Sequence, residues 1–415
     1  MQHLYKIVFL FIIGFSSQAQ ELLSLEEAVK IALENNYDIK IAKNNSKIDA
    51  TNNNLANAGM LPSLNANFTN NNSQLNTTQT QADGTERKLD NAKNMNLTYG
   101  VGLDWTIFDG LSMFARKEQL NVLEQQGKAE LQTAILTRIS DVYTTYFDLV
   151  QQQQVLASID TAIVISNQRL TTAQNRFSIG KASKLEVLNA QVDLNSDLSL
   201  QLRQKELIKI SKIRLNELLV RDIQTDFKVA NKVTFEQNLD FNELKSTAEK
   251  QNPQLQAQIL SKKVADLNLK QVKGNRYPTV RITSGYNFTR SEASLGFITQ
   301  SSGQGFVYGV TATVPIFNGF LQNRNEKVAK YQVENAGFLL EQQKLSLTSQ
   351  LSSLFASYQT NLELAKVEEK NLEIAKQNLD ITLAKFKIGT ITTIEFRTAQ
   401  QNFVEASVRY SNAQY

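Results

Sequence analysis

Two stretches of the chain alternate between apolar and polar side chains. From Met95 to Ile107 every odd-numbered residue is apolar or aromatic, and every even-numbered residue is polar or glycine. From Phe306 to Ile316 every even-numbered residue is apolar. Because successive side chains of a β-strand point to opposite faces, the alternation predicts strands with one apolar and one polar face. Together with less regular partner strands, they predict two β-hairpins, at residues 62–108 and 278–317.

Apolar residues at every seventh position mark two long helices. One series runs from Val142 to Phe177 and the other from Leu351 to Phe386. A seven-residue repeat of this kind is typical of coiled-coil helices. No proline lies between residues 111 and 178, so the first helix has room to extend over roughly 100 Å.

The same succession of patterns occurs twice along the chain. The segment from Arg176 to Gly180 returns as Lys385 to Gly389, 209 positions later. We therefore predict two tandem structural repeats, built in the same order. Each has an opening helix that ends at a proline, a hairpin, a long helix, a turn at a glycine and a returning helix.

The repeats define the predicted domain organisation. The first covers residues 20–220 and has its turn near residue 180. The second covers residues 241–415, has its turn near residue 389 and ends in a returning helix that is cut short. Residues 221–240 form a connecting, equatorial segment, in which Phe227–Val229 is the one expected strand.

The first nineteen residues have the layout of a secretory signal peptide. A basic Lys6 precedes an apolar run from Ile7 to Phe15, and a small-residue cleavage site follows at Ala19. The apolar run has about half the length of a membrane-spanning helix. We therefore expect residues 1–19 to be removed during export. The only histidine of the chain, His3, lies in this segment.

The amino-acid composition excludes several kinds of catalytic and binding site. The net charge of +4 over 415 residues is not gathered into a basic block, so no nucleic-acid surface is predicted. The absence of cysteine, and of histidine after residue 19, excludes thiol and histidine catalysis, disulfides and cysteine or histidine metal sites. We expect no catalytic residue, no metal site and no cofactor, and we do not expect an enzyme.

Two architectures explain the alternating strands. A soluble sheet buries its apolar face in a core, whereas a membrane barrel turns that face to lipid and the polar face to a water-filled lumen. The strands exceed the ~9–11 residues that span a bilayer, aromatic residues collect near their ends, and the chain carries an export signal. These features favour the barrel. The expected lipid-facing residues are Leu97, Tyr99, Val101, Leu103 and Trp105.

Several short motifs follow one another in a characteristic order. They are Ser24–Ala28 with Asn35–Asn36, Leu61–Leu64, Val314–Gly319, and the two turns Ile179–Lys181 and Ile388–Thr390. In this order the chain resembles the TolC-like outer-membrane efflux family over essentially its whole length after residue 19. The resemblance implies an α+β membrane protein. Three chains would form one twelve-stranded β-barrel, four strands per chain, continued by a long α-helical coiled-coil barrel.

The geometry of a barrel independently indicates an oligomer, because four strands cannot close a barrel and about eight is the practical minimum. Two chains with eight strands would also satisfy that geometry. The resemblance favours a homotrimer located in the outer membrane, in contact with its lipid and with the helical part in the periplasm. It also implies two protein partners, a periplasmic adaptor and an inner-membrane transporter.

The resemblance implies a function in transport. The chain would be the exit duct of a tripartite efflux system, which passively exports small molecules across the periplasm and the outer membrane. Two alternatives stay open. One is the exit channel of a type I protein secretion system, and the other is a periplasmic coiled-coil structural protein that forms no channel.

The resemblance also assigns roles to residues at and beside the two turns. The expected adaptor-docking residues are Ile179, Gly180, Lys181, Ile388, Gly389 and Thr390. Glu186 and Glu395 each follow their turn glycine by six positions and are expected to line the periplasmic aperture. The alternative for the glycines is a plain helix cap, and the alternative for the glutamates is a solvated coiled-coil surface.

Overall fold

The computed structural model describes residues 21–230, 239–296 and 298–415. The predicted signal peptide at residues 1–19 and residues 231–238 of the connecting segment lie outside the described residues. In chain order the elements are β1 (Glu21–Leu23), α1 (Leu25–Asn35), α2 (Tyr37–Asn52), β2 (Ser63–Thr80), β3 (Glu86–Asp109), α3 (Ser112–Ser178), α4 (Lys184–Leu219), β4 (Phe227–Val229), α5 (Phe241–Gln251), α6 (Pro253–Gly274), β5 (Thr279–Ala293), β6 (Gln300–Thr313), α7 (Leu321–Ile388) and α8 (Thr393–Gln414).

The chain divides into two compact units. The helical unit consists of the described residues of Ala134–Lys245 and Ser349–Tyr415, together with those up to Ile41. The sheet unit consists of Ala42–Thr133 and Ser246–Thr348, and it contains the four long strands. The long helices α3 and α7 are continuous over 67 and 68 residues and contribute to both units.

The sheet unit is built on one antiparallel sheet with the strand order β2-β3-β5-β6. β2 pairs with β3 from Ser63 opposite Asp104 to Thr80 opposite Glu86. β5 joins β3 only up to Asn94 opposite Ala293, so the β2–β3 ribbon continues alone beyond that pair. Among the described residues, β2 and β6 each pair with one neighbour, and each therefore leaves one edge of hydrogen-bonding groups unpaired.

The main core of the helical unit lies where two short strands meet the long helices. β1 runs parallel to β4, with Leu23 beside Val229. Both strands pack with Leu149 of α3 and Leu215 of α4, which are fully buried. The hydroxyl of Tyr146 donates to the carbonyl of Leu23 (3.0 Å) and accepts from the backbone N–H of Ala230 (3.1 Å). β4 coincides with the strand predicted at residues 227–229.

The opening helix of each half is broken in two, which differs from the single helix predicted. Asn36 ends α1, and its side-chain oxygen accepts from the backbone N–H of Asp38 at the start of α2 (2.9 Å). Asn252 plays the same part before α6, where it accepts from Leu255 (2.9 Å) and is followed by Pro253. Asparagine side chains satisfy the backbone groups of helix ends, so both breaks have a local cause.

Two predicted boundaries were wrong. α2 ends at Asn52, ten residues before Pro62, because asparagine side chains form local hydrogen bonds instead of the helical ones. Asn54 donates to the carbonyl of Thr51 and Asn57 donates to that of Asn52, both at 2.9 Å. β6 ends at Thr313, short of residue 317, because the following proline at position 315 has no N–H to donate to a strand partner.

Candidate functional site

The four-stranded sheet has one continuous apolar face. Residues directly opposite each other in an antiparallel pair share a face. Tyr99 lies opposite Phe288 and Val101 lies opposite Tyr286, and the rings of Tyr99 and Phe288 stack with centroids 5.0 Å apart. The neighbours on the outer strands continue this face with Leu64, Ala66, Phe68, Phe306, Tyr308 and Val310.

The opposite face of the sheet is polar. Thr98 lies opposite Thr289 and Gly102 lies opposite Gly285 on this face. Asp104 and Arg281 form an ion pair there, with Oδ2 and Nη1 3.2 Å apart. The alternation predicted for single strands therefore extends across the sheet, and it separates an apolar from a polar surface.

Charged and polar side chains mark one end of the apolar face. Leu97 lies opposite Arg290 of β5 and Asn70 of β2, and Arg290 pairs with Glu292 at 2.6 Å. Of the residues predicted to face lipid, Tyr99, Val101 and Leu103 therefore lie in the central part of the face, and Leu97 and Trp105 lie nearer its two ends. At the other end the indole N–H of Trp105 donates to the carbonyl of Met60 (2.9 Å).

The two turns at the predicted docking residues have the same backbone hydrogen bonds. Gly180 and Gly389 adopt φ of 74° and 86°. The N–H of Lys181 donates to Arg176 (2.7 Å), and the N–H of Thr390 donates to Lys385 (3.1 Å). With a second bond from each glycine N–H, this is the Schellman arrangement that ends helices. The glycines are therefore helix caps, and docking by these residues stays a prediction.

The turns contact each other. A Cβ atom on Gly389 would lie 3.2 Å from Nη2 of Arg176, so the guanidinium of the first turn rests against the glycine of the second. The same guanidinium has Nη1 3.8 Å from Oε1 of Glu186. Arg176 thus lies against α4 and against the turn that precedes α8.

The two predicted aperture glutamates occupy equivalent positions at helix starts. The hydroxyl oxygen of Ser183 accepts from the N–H of Glu186, and that of Thr392 accepts from the N–H of Glu395, both at 3.3 Å. The carboxylate of Glu395 in turn accepts from the N–H of Thr392 (2.8 Å), which completes a capping box. Both glutamates therefore contribute to local structure, and an aperture role stays a prediction.

A buried polar cluster in the helical unit was missed by the sequence analysis. It consists of Ser166, Arg169, Asp193, Asp197, Arg397 and Gln400. Asp197 is 4% exposed and accepts hydrogen bonds from Ser166 (2.6 Å) and from Arg397 (2.9 Å). The amide of Gln400 donates to the carbonyl of Ala162 and to the hydroxyl of Ser166, both at 2.8 Å.

The charged members of this cluster join α4 to two other helices. Arg169 of α3 is 1% exposed and pairs with Asp193 of α4 at 2.5 Å. Arg397 of α8 pairs with Asp197 and also has Nε 3.7 Å from Asp193. The sequence signal that could have indicated this cluster is the spacing of its polar residues. Each of the three helices contributes two of them, three or four positions apart, and residues at this spacing lie on one helix face.

Across residues 21–230, 239–296 and 298–415, no group of three or more His, Cys, Asp or Glu side chains is arranged to hold a metal ion. In the same part of the chain, no helix is both long and apolar enough to cross a membrane.

The sequence profile described as "Outer membrane efflux protein" matches residues 28–220 and 244–415, which is most of the chain. This chain belongs to the outer membrane efflux protein family. The resemblance stated from the sequence is thereby confirmed. The family consists of outer-membrane channels and not of enzymes, and it assigns this member to the outer membrane with its helical part in the periplasm.

Relatives of this family member include Outer membrane protein TolC of Escherichia coli (strain K12), with 22% identity over 295 residues. That match covers 68% of this chain and 59% of TolC, so the chain spans about three-fifths of the length of this relative. The outer membrane protein VceC of Vibrio cholerae has a similar fold, with a TM-score of 0.79 at 15% identity over 94% of this chain and 92% of VceC. The outer-membrane channel OprN gives 0.78 at 17% identity over 94% and 86%.

Proposed function

We propose that three copies of this chain form an outer-membrane exit duct. The observation that carries this proposal is the sheet with one apolar face, one polar face and two unpaired edges. A sheet of this kind exposes apolar side chains on one side and backbone hydrogen-bonding groups at β2 and β6. Pairing β6 of one copy with β2 of the next would satisfy those groups and leave no edge.

Closure of a barrel requires more than one copy of the chain. About eight strands are the minimum for a barrel, and each chain supplies four. Three chains would give twelve strands, which fits the efflux family, and would leave a lumen lined by the polar face. Asp104 and Arg281 would then face water, whereas Tyr99, Val101, Leu103 and Trp105 would face lipid.

The helical unit is proposed to continue the duct through the periplasm as a coiled-coil barrel. On this proposal the two turns dock on a periplasmic adaptor that connects the duct to an inner-membrane transporter. Ile179 and Ile388 support docking, since they are 66% and 76% exposed although apolar. Glu186 and Glu395 would lie at the periplasmic aperture. Residues 221–230 of the connecting segment, with β4, would form part of an equatorial belt.

The proposed activity is passive export of small molecules as part of a tripartite efflux system. The chain does no chemistry on its cargo, and it provides a continuous aqueous path across the periplasm and the outer membrane.

Cell fractionation and bilayer conductance test the proposal. The expected result is an outer-membrane oligomer whose electrophoretic mobility changes on heating, and which forms ion-conducting pores after reconstitution. Recovery of the protein as a soluble periplasmic monomer would contradict the barrel and favour the coiled-coil structural protein instead.

A further inference from the structure

The two turns and the adjoining helix ends carry a concentrated positive charge. Within residues 176–189 and 385–395 there are five cationic side chains and only two carboxylates, an excess of three positive charges. The complete chain has a net charge of only +4 over 415 residues. The cationic residues are Arg176, Lys181, Lys184, Lys385 and Lys387, and the carboxylates are Glu186 and Glu395.

The carboxylates of this region are already engaged within the chain. Glu395 accepts from both the N–H and the hydroxyl of Thr392, and Glu186 faces Arg176 at 3.8 Å. The four lysines differ from them, because all are exposed and none forms an ion pair within the described part of the chain. They therefore present four ammonium groups to whatever approaches the turns.

The lysines surround exposed apolar side chains. Ile179 and Leu185 beside the first turn are 66% and 65% exposed, and Ile388 and Ile394 beside the second are 76% and 77% exposed. Exposed apolar residues that are grouped together and bordered by charge mark an interaction surface. The contact between Arg176 and Gly389 holds the two turns side by side, so their side chains form one surface.

We propose that this surface docks a protein segment that presents Asp or Glu side chains beside apolar ones. The inference rests on the proposed function, in which the turns bind the adaptor, and it adds the chemistry of the adaptor surface. Complementary charge steers association and rejects partners of the wrong sign, while the isoleucines and leucine supply the buried contact. One lysine pair follows Gly180 and the other precedes Gly389, so the two pairs lie on opposite sides of their turns. An ordered partner can match this arrangement.

Binding of the intact protein to two designed helical-hairpin peptides tests the proposal. The peptides share one sequence whose loop carries leucines flanked by four glutamates or by four glutamines. The turn variant replaces the four lysines (Lys181→Gln, Lys184→Gln, Lys385→Gln and Lys387→Gln). The matched control replaces four exposed lysines of α4 and α7 that lie away from the turns (Lys205→Gln, Lys209→Gln, Lys370→Gln and Lys376→Gln).

The wild type should bind the glutamate hairpin about tenfold more tightly than the glutamine hairpin, since several exposed charge pairs each contribute modestly. High salt should remove the preference. The turn variant should lose it, and the control should keep it. Equal binding of both hairpins by the wild type, no binding of either, or a preference that persists in the turn variant would overturn the proposal.

Two further measurements separate the outcomes. Sedimentation with vesicles containing phosphatidylglycerol tests an anionic lipid surface, and vesicle binding that the turn substitutions abolish would overturn the proposal in favour of a membrane partner.

Pore conductance of the turn variant reports on the duct itself. Normal conductance without any charge preference in hairpin binding would refute the acidic partner alone, whereas wild-type protein that forms no pores would refute the proposed function.

Discussion

Arg397 and Asp197, 200 residues apart in the sequence, form an ion pair with two parallel hydrogen bonds. Nη1 to Oδ2 and Nη2 to Oδ1 both measure 2.9 Å. Such a bidentate pair has a fixed geometry as well as charge attraction. Because Asp197 is on α4 and Arg397 is on α8, the pair fastens the last helix of the chain to the first returning helix.

Substitution of Asp197→Ala should loosen α8. Arg397, whose side chain is 16% exposed, would lose its main partner, and removing one partner of a buried pair costs about 3–5 kcal/mol. Hydrogen–deuterium exchange should therefore become faster in α8. The double variant Asp197→Ala with Arg397→Met leaves no buried charge at this pair and should exchange more slowly than the single variant. If single and double variants exchange equally fast, the pair does not hold α8 in place.

The buried polar cluster explains why sequence reasoning worked better for elements than for this site. Alternation from Met95 to Ile107 and the heptads of α3 are local patterns, and they predicted the strand and the helix. Arg169 and Asp197 carry charges that are usually solvated, and only tertiary pairing makes them buried. The outer part of β2 was predicted only as part of the hairpin at residues 62–108: apart from Leu75, residues 70–80 are polar, so no alternation marks them as a strand. β1 depends on pairing with β4 some 200 residues away.

The two faces of the sheet predict opposite effects of a single arginine. Val101→Arg places a charge on the apolar face, where arginine near the bilayer midplane costs about 2–4 kcal/mol, so assembly in lipid should fall. Thr98→Arg places the same side chain on the polar face and should leave assembly intact. The heat-modifiable oligomer measures assembly in both variants. Loss of assembly with Thr98→Arg but not with Val101→Arg would contradict a lipid-facing apolar face.

The two turn glycines should respond differently to alanine. Both have positive φ, so alanine costs about 1–2 kcal/mol at either position. A Cβ on Gly180 meets open space, whereas one on Gly389 would lie 3.2 Å from Arg176. Gly389→Ala should therefore lower the melting temperature more than Gly180→Ala. The extra effect should vanish when Arg176→Ala is also present, and its persistence would show that Arg176 is not the cause.

The ion pair between Arg276 and Glu326 predicts a pH dependence of stability. The hydrogen bond from Arg276, with a second from Gln322, lowers the pKa of Glu326 below the ordinary value of 4.5. Because the pKa of Glu326 is lower in the folded than in the unfolded protein, the ionised carboxylate stabilises the folded protein at pH values above the unfolded-state pKa. This contribution disappears as the pH falls below 4.5 towards the folded-state pKa. The wild type should thus melt at a higher temperature than Glu326→Gln at pH 7.

That advantage should shrink below pH 4.5. Glu334→Gln, a substitution at an exposed position of the same helix, serves as the control and should give no comparable pH-dependent difference. A gap between wild type and Glu326→Gln that stays constant down to pH 3 would rule out this linkage.

The capping role of Glu395 makes the aperture prediction testable without damage to the fold. Glutamine can replace glutamate at the third position of a capping box, so Glu395→Gln keeps the hydrogen bond to Thr392 and removes only the charge. Glu186→Gln removes the charge at the equivalent position after Gly180, where the carboxylate faces Arg176 and forms no capping box. If three copies bring these carboxylates together, they attract cations to the aperture. The double variant should then lose cation selectivity or block by divalent cations in reconstituted pores, at unchanged thermal stability. Unchanged selectivity and block would leave Glu395 with its capping role and Glu186 with its contact to Arg176, and would place the aperture elsewhere.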